Sequence, residues 1–136
     1  MRITDCLDAL RDAGWKAPAT VCDPIKFRPT GDGDGFGDSS GFEVTSREME
    51  SVLGWALQVW YAERCAVISV GFDATYGPTI DGVRTIKTIG EIREYSIVWP
   101  HKDERGILFA NLSTAPTMLE AMVAGIRTLA QRGELS

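Results

Sequence analysis

Hydrophobic residues recur at helical spacing between Thr45 and Trp60. The apolar positions are separated by three or four residues and leave a polar face opposite them: Met49, Val52, Leu53, Ala56, Leu57 and Trp60. Thr45 and Glu48 have the spacing of a capping box, in which two residues satisfy each other's free amides at the start of a helix. The pattern therefore predicts a long helix that begins at Thr45 and buries one stripe.

The hydrophobic period changes to two directly after this helix. Residues 66–72 alternate, with Ile68, Val70 and Phe72 on one face, as is typical of a strand. Residues 93–99 alternate in the same way.

Further along the chain, residues 93–99 and 107–112 flank a polar turn at 100–106 and predict an antiparallel hairpin. The sequences Tyr76-Gly77-Pro78 and Asp81-Gly82 are typical of turns. Residues 83–89 are therefore expected to form a short hairpin excursion between the two strand regions.

Two more helices are predicted at the ends of the chain. A short one covers 4–13 and stops at Gly14. A long one opens after Pro116 and ends at Gly133, with its cap either at Thr114 or at Thr117 paired with Glu120; its apolar stripe contains Leu119, Met122, Val123, Ile126 and Ala130. Prolines interrupt the region between the first two helices, where 25–27 could be an edge strand.

This order of elements predicts an α+β fold. We expect a small antiparallel sheet of three to five strands, packed with two long helices and a short N-terminal helix. Both faces of the sheet carry apolar residues, which favours helices on both faces, an α-β-α sandwich, over a one-sided layer. A length of 136 residues is typical of one domain, so 1–136 is interpreted as a single domain.

The last third of the chain resembles a known group of proteins. The segments Tyr95-Ser-Ile-Val-Trp-Pro100, Gly106-Ile-Leu-Phe-Ala-Asn111 and the helix that follows Pro116 are similar to the ending of small, mostly uncharacterised bacteriophage proteins of the α-β-α sandwich type. The resemblance implies a packing pattern and brings no catalytic motif.

Composition excludes several classes of function. The chain has 44% hydrophobic and 24% charged residues and a net charge of −5, so it lacks the basic surplus that attracts nucleic-acid phosphates. No apolar run is long enough for a membrane span and the first residues lack a signal pattern, so we expect a cytoplasmic protein. Three widely spaced cysteines, Cys6, Cys22 and Cys65, indicate reduced thiols.

Residues 31–41 form an acidic, glycine-rich loop that is expected to be flexible. On the calcium-loop template, four oxygen-bearing side chains occupy ligand positions: Asp32, Asp34, Ser40 and Glu43. Phe36 stands where a fifth ligand is needed, and the segment before Asp32 supplies no helix. A solvated loop is therefore favoured over a calcium site, and no other cofactor is indicated.

Catalytic residues are not indicated by the sequence. Enzymatic function is not settled but is disfavoured, because a Cys65–His101 pair lacks a third residue to orient the base. Cys65 is interpreted as a small core residue. Trp55 lies toward the margin of the long helix's stripe, and Tyr61 lies on the far side of the helix. An aromatic residue at such a margin serves either the core or a protein interface, and the core is favoured.

The first hypothesis for function is a small non-enzymatic accessory protein of phage type that binds another protein, such as a host protein whose system it inhibits. The predicted partner-binding residues are Asp32, Asp34, Phe36, Asp38, Trp55 and Tyr61, with Phe36 as an exposed apolar tip between the acids. The alternative is a small-ligand or cation-binding module that uses the Asp-rich loop. The oligomeric state is left open.

Overall fold

The computed structural model describes residues 1–31 and 33–135, and these residues form three α-helices and six strands. In chain order the elements are α1 (Ile3–Ala13), β1 (Arg28–Pro29), β2 (Gly35–Gly37), β3 (Glu43–Thr45), α2 (Ser46–Glu63), β4 (Val67–Ile80), β5 (Val83–Asp103), β6 (Gly106–Ala115) and α3 (Met118–Gln131). This confirms the α+β class.

The two long helices, α2 and α3, begin at residues that the sequence marks as caps. Thr45 Oγ1 accepts a hydrogen bond from the amide of Glu48 at 3.1 Å, and the Glu48 carboxylate accepts one from the amide of Thr45 at 3.0 Å. These bonds lower the pKa of the Glu48 carboxyl, the largest cause being the bond from the Thr45 amide. At α3, Thr117 caps the helix through the amide of Glu120, so the second of the two predicted caps is correct.

The strands form two antiparallel sheets of three strands each within the described residues. The small sheet has the order β1-β2-β3 and was not predicted. The large sheet has the order β4-β5-β6, and only residues 67–70, 95–98 and 111–115 lie side by side as three strands. Outside this central part, the first half of β5 pairs with β4 alone, and the end of β5 pairs with β6 alone. The large sheet is therefore three-stranded only at its centre.

Turns differ from the sequence prediction at two places. β4 continues through Tyr76-Gly77-Pro78, and the chain reverses only at Asp81 and Gly82, which have φ of 51° and 78°. Two positive φ angles suit the right-handed twist of a two-residue hairpin. β5 likewise continues through Pro100 to Asp103. The predicted short excursion is thus part of a long hairpin.

The hydrophobic core lies on one face of the large sheet. α2 and α3 cover the face that carries Ile97, and α1 packs on α3. Trp60 of α2 stacks on Trp99 of β5, with ring centroids 6.0 Å apart. Val67 on the opposite face is half exposed. The expected second helix layer is therefore not formed by residues 1–31 and 33–135.

The segment between α1 and the small sheet is fixed by Arg11. Its guanidinium donates hydrogen bonds to the carbonyl oxygens of Ile25 and Phe27, at 2.9 and 2.6 Å. The predicted edge strand at 25–27 is wrong, because Pro24–Lys26 is a 3₁₀ helix that Asp23 caps through the amide of Ile25. The Phe27 side chain is buried under this turn.

The three cysteines are free in the structure. Cys6 is buried in α1, whereas Cys22 and Cys65 are exposed. The interpretation of Cys65 as a core residue is wrong: it follows the end of α2 with a φ of 59°, where the chain turns out of the helix.

Candidate protein-binding surface

The glycine-rich segment supplies the central strand of the small sheet. Residues 35–37 form β2, and Phe36 pairs with Pro29 on one side and with Val44 on the other. The Phe36 side chain is only 5% exposed and belongs to the core. The prediction of Phe36 as an exposed tip for a partner is therefore wrong, because the alternation of β2 turns this ring inward. The flexibility of 31–41 stays a prediction.

Asp38 stabilises the turn that follows β2. Its carboxylate accepts hydrogen bonds from the Ser40 hydroxyl at 2.6 Å and from the amides of Ser40 and Phe42 at 3.0 and 3.1 Å. These bonds, above all that from the Ser40 hydroxyl, lower the pKa of Asp38. Asp38 thus has local partners that account for its presence at this turn.

The predicted calcium ligands do not form a cluster in the described part of the chain. Asp34, Ser40 and Glu43 are exposed, and Ser40 is bonded to Asp38. Asp32 lies outside the described residues. Within 1–31 and 33–135 there is no group of three or more His, Cys, Asp or Glu side chains that could hold a metal ion.

The two aromatic residues predicted to bind a partner differ in exposure. Tyr61 is buried, and its hydroxyl donates a hydrogen bond to the carbonyl oxygen of Met122 at 2.5 Å. Burial raises its pKa well above the ordinary value. Its assignment to a partner surface is therefore wrong. Trp55 is 61% exposed on α2, where it borders two shallow hollows. Its role as a partner contact stays a prediction.

The long β4–β5 hairpin carries many of the exposed large apolar side chains among the described residues. We call residues 72–92 the arm: the outer part of β4, the turn at 81–82 and the first part of β5. Only β4 and β5 pair in this region, so the arm is a two-stranded ribbon. Nine residues of β4 at ~3.3 Å each give it a length of roughly 30 Å.

The register of the arm places five of its seven exposed large apolar residues in one row, and the other two, Ile80 and Val83, pair beside the turn at its tip. Phe72 pairs with Ile92, Ala74 with Ile89 and Tyr76 with Ile86. On β4 these residues are two apart, whereas on β5 they are three apart. Extra residues on β5 form bulges at Lys87 and at 90–91, and each bulge returns the next isoleucine to the same face.

This arm face, defined as Phe72, Tyr76, Ile86, Ile89 and Ile92, is solvent-exposed. Its five side chains are 47% to 65% exposed, and none belongs to the core that the described residues form. A large side chain presents about 150–250 Å², so five that are half exposed leave on the order of 500 Å² of apolar surface. This area is within the range of the largest apolar patch that monomeric proteins expose, and such a patch is often functional.

The opposite face of the arm is polar. Asp73 and Arg93 form an ion pair at 2.8 Å, and the hydroxyls of Thr75 and Thr88 share a hydrogen bond. On the arm face itself, the guanidinium of Arg84 lies over the ring of Tyr76, 4.5 Å from its centroid. The ribbon is amphipathic along this part, like a strand pair with one face on a core. The five side chains of the arm face, however, are outside the core that the described residues form.

A second exposed apolar group lies at the other end of the sheet. Ile107, Leu108 and Phe109 of β6 are consecutive and each more than half exposed. Because side chains alternate along a strand, they point to both faces of the β5–β6 hairpin. Both ends of the large sheet therefore carry apolar side chains outside the helix layer.

The sequence carries a signal for the arm that neither the strand period nor the helical period detects. Isoleucines at 86, 89 and 92 are spaced by three, which fits neither a strand nor a full helical stripe. Residues that are three apart on one strand point to the same face when a bulge adds one residue between successive cross-strand pairs. Such bulges depend on the partner strand and cannot be read from β5 alone.

Comparison with known proteins gives no relative for this chain: no protein-family model, curated protein or solved structure matches it. Within residues 1–31 and 33–135, no helix combines the length and the apolar character that a bilayer crossing requires.

Proposed function

We propose that this protein is a non-enzymatic protein-binding protein that acts by docking its arm face on another protein chain. The observation that carries the proposal is the row of five half-exposed apolar side chains, none of which belongs to the core that the described residues form. The accessory role of phage type, with a host protein as one possible target in the cytoplasm, is part of the same proposal and rests on the resemblance of residues 95–127.

The low stability expected of an isolated arm supports the proposal that a partner covers it. An isolated two-stranded ribbon is marginally stable in water, because it needs a third strand or a packed layer. The arm has neither within the described residues. A partner that covers the arm face would supply the missing layer, and the arm would be more ordered in the complex than alone.

The residue types of the arm face also fit a protein interface. Aromatic residues are enriched at the buried centres of interfaces, and Phe72 and Tyr76 are stiff side chains that lose little entropy on contact. The alternative function is a cation-binding module that uses the Asp-rich loop. No contact among the described residues favours it.

Photo-crosslinking from the arm tests this proposal. A benzophenone amino acid replaces Ile89 on the apolar face, and in a matched control it replaces Thr88 on the polar face. The cells that produce the protein are irradiated and the products are identified by mass spectrometry. We expect a defined protein adduct from position 89 and little from 88. Equal or absent adducts at both positions would overturn the proposal.

A further inference from the structure

The arm face has a pattern that is complementary to itself. Around the central pair of Ala74 and Ile89, a pair of one aromatic residue and one isoleucine stands on each side: Phe72 with Ile92 towards the base, and Tyr76 with Ile86 towards the tip. If two arms lie face to face in opposite directions, the Phe72–Ile92 pair of each arm meets the Tyr76–Ile86 pair of the other. The surface therefore fits a second copy of itself.

The central pair lies at the two-fold axis. Ile89 is the most exposed side chain of the arm face, at 65%, and Ala74 is its neighbour on β4. In an antiparallel pair of arms the axis runs across the strands, so β5 of each copy lies over β5 of the other. Ile89 of one copy therefore meets Ile89 of the other at the centre of the contact.

Charges on β5 are arranged about the same centre. Lys87 lies two residues from Ile89 towards the tip, and Glu91 lies two residues from it towards the base. Both stand at bulges beside the apolar row. In the antiparallel arrangement Lys87 of one copy meets Glu91 of the other, twice by symmetry. A parallel arrangement would bring like charges together.

The area is adequate for such a contact. A stable interface buries about 800 Å² on each partner, of which the apolar part is somewhat more than half. The arm face supplies on the order of 500 Å² of apolar area. The polar residues around it would supply the rest of the buried area. Strand addition at an edge of the arm would not cover this face, and the bulges on β5 interrupt the edge ladder that addition needs.

We infer that the partner of the arm is a second copy of this chain, and that the two arms pack face to face and antiparallel about a two-fold axis beside Ile89. This inference rests on the proposed function and specifies its partner. Trp55, which is on α2 and outside the arm, stays available for a different protein.

Sedimentation equilibrium of the purified full chain tests the inference. We expect a dimer for the unaltered protein and a monomer for Ile89→Asp, while Thr88→Asp on the polar face stays dimeric. Circular dichroism checks that all three keep the fold. An unaltered chain that is monomeric at its highest soluble concentration, or a dimer that Ile89→Asp leaves intact, would overturn the inference.

Charge reversal then tests the two-fold arrangement. Lys87→Glu alone and Glu91→Lys alone should each weaken the dimer about tenfold, because each reversed pair occurs twice. An equimolar mixture of the two variants should form a heterodimer, and the double variant Lys87→Glu/Glu91→Lys should recover the homodimer. No recovery in either case would contradict the antiparallel contact.

Photo-crosslinking separates this inference from the proposed function. An adduct of position 89 with a second copy of the chain supports both. A defined adduct with a different protein, together with a monomeric purified chain, would overturn self-pairing and leave the arm as a protein-binding surface. The absence of any adduct specific to position 89 would overturn both.

Discussion

The hydroxyl of Tyr61 donates a hydrogen bond to the carbonyl oxygen of Met122 at 2.5 Å and so joins α2 to α3. Gly125, less than one turn further along α3, leaves room for this hydroxyl. A Cβ atom at 125 would collide with the Tyr61 hydroxyl and would lie 3.1 Å from the Oγ of Ser113. The lack of a side chain at 125 is therefore a condition for the contact between the two long helices.

Gly125→Ala should destabilise the protein by about 1–3 kcal/mol, the range for overpacking, although alanine is the better helix former. Gly54→Ala in α2 is the matched control: its Cβ would meet only Gln58 Nε2 at 4.0 Å, so a gain of up to about 1 kcal/mol is expected. Urea denaturation measures both. In a Tyr61→Phe background the cost of Gly125→Ala should fall. A gain in stability from both glycine substitutions would contradict this packing.

Core and arm side chains should respond differently to truncation. Leu53 is fully buried, so Leu53→Ala should cost about 2–5 kcal/mol through the cavity that it leaves. Ile89→Ala should cost less than about 1 kcal/mol in the monomer, because its side chain contacts mostly solvent. Thermal denaturation at concentrations too low for dimers compares them. A cost at Ile89 equal to that at Leu53 would mean that the arm packs within its own chain.

Local signals were sufficient to predict the helices. The caps at Thr45 and Thr117 depend on residues three positions away, and the stripe that contains Leu53 depends on spacing within one helix. Both kinds of information lie within one stretch of sequence. The α+β class follows from the order of such segments, which is why it could be predicted.

Contacts between distant segments could not be predicted in this way. Tyr61 was assigned to a surface because its burial depends on Met122, 61 residues away in sequence. The arm was missed because its bulges arise from the pairing of β4 with β5. Phe36 was placed in solvent because β1 and β3, which enclose β2, have only two and three residues and give almost no periodic signal.

Alkaline pH should destabilise the protein through Cys6. Burial raises the pKa of this thiol from 9.0 to about 11. Between these values the unfolded chain releases the proton and the folded chain keeps it, so the free energy of unfolding falls as pH rises, by up to about 1.4 kcal/mol per pH unit.

Cys6→Ala should remove this part of the pH dependence, whereas Cys22→Ala, at an exposed position, should keep it. Tyr61, whose pKa is also raised, adds a decline at still higher pH in both variants. Unfolding curves at several pH values from 8 upward, about one unit apart, measure the difference. Identical slopes for the two variants would show that Cys6 does not titrate differently on unfolding.

The last prediction concerns residues 31–41, which composition alone presents as a dispensable loop. On that view a short neutral linker in their place would leave the melting temperature within a few degrees, since long surface loops add little closure entropy. The structure gives the opposite expectation, because the replacement removes β2 between β1 and β3 together with the buried ring of Phe36. We therefore expect the replacement to lower the melting temperature strongly.

Phe36→Ala isolates the contribution of that ring and should cost about 3–5 kcal/mol, as for other buried phenylalanines. Phe42 is the matched control: it follows the same turn but is 57% exposed, and its ring meets that of Phe27 edge to face, with centroids 6.2 Å apart. Phe42→Ala should cost no more than about 1 kcal/mol. Equal losses below that value at both positions would show that the segment is a mobile loop after all, and the acidic residues beside Phe36 would again be candidates for contact with a basic partner.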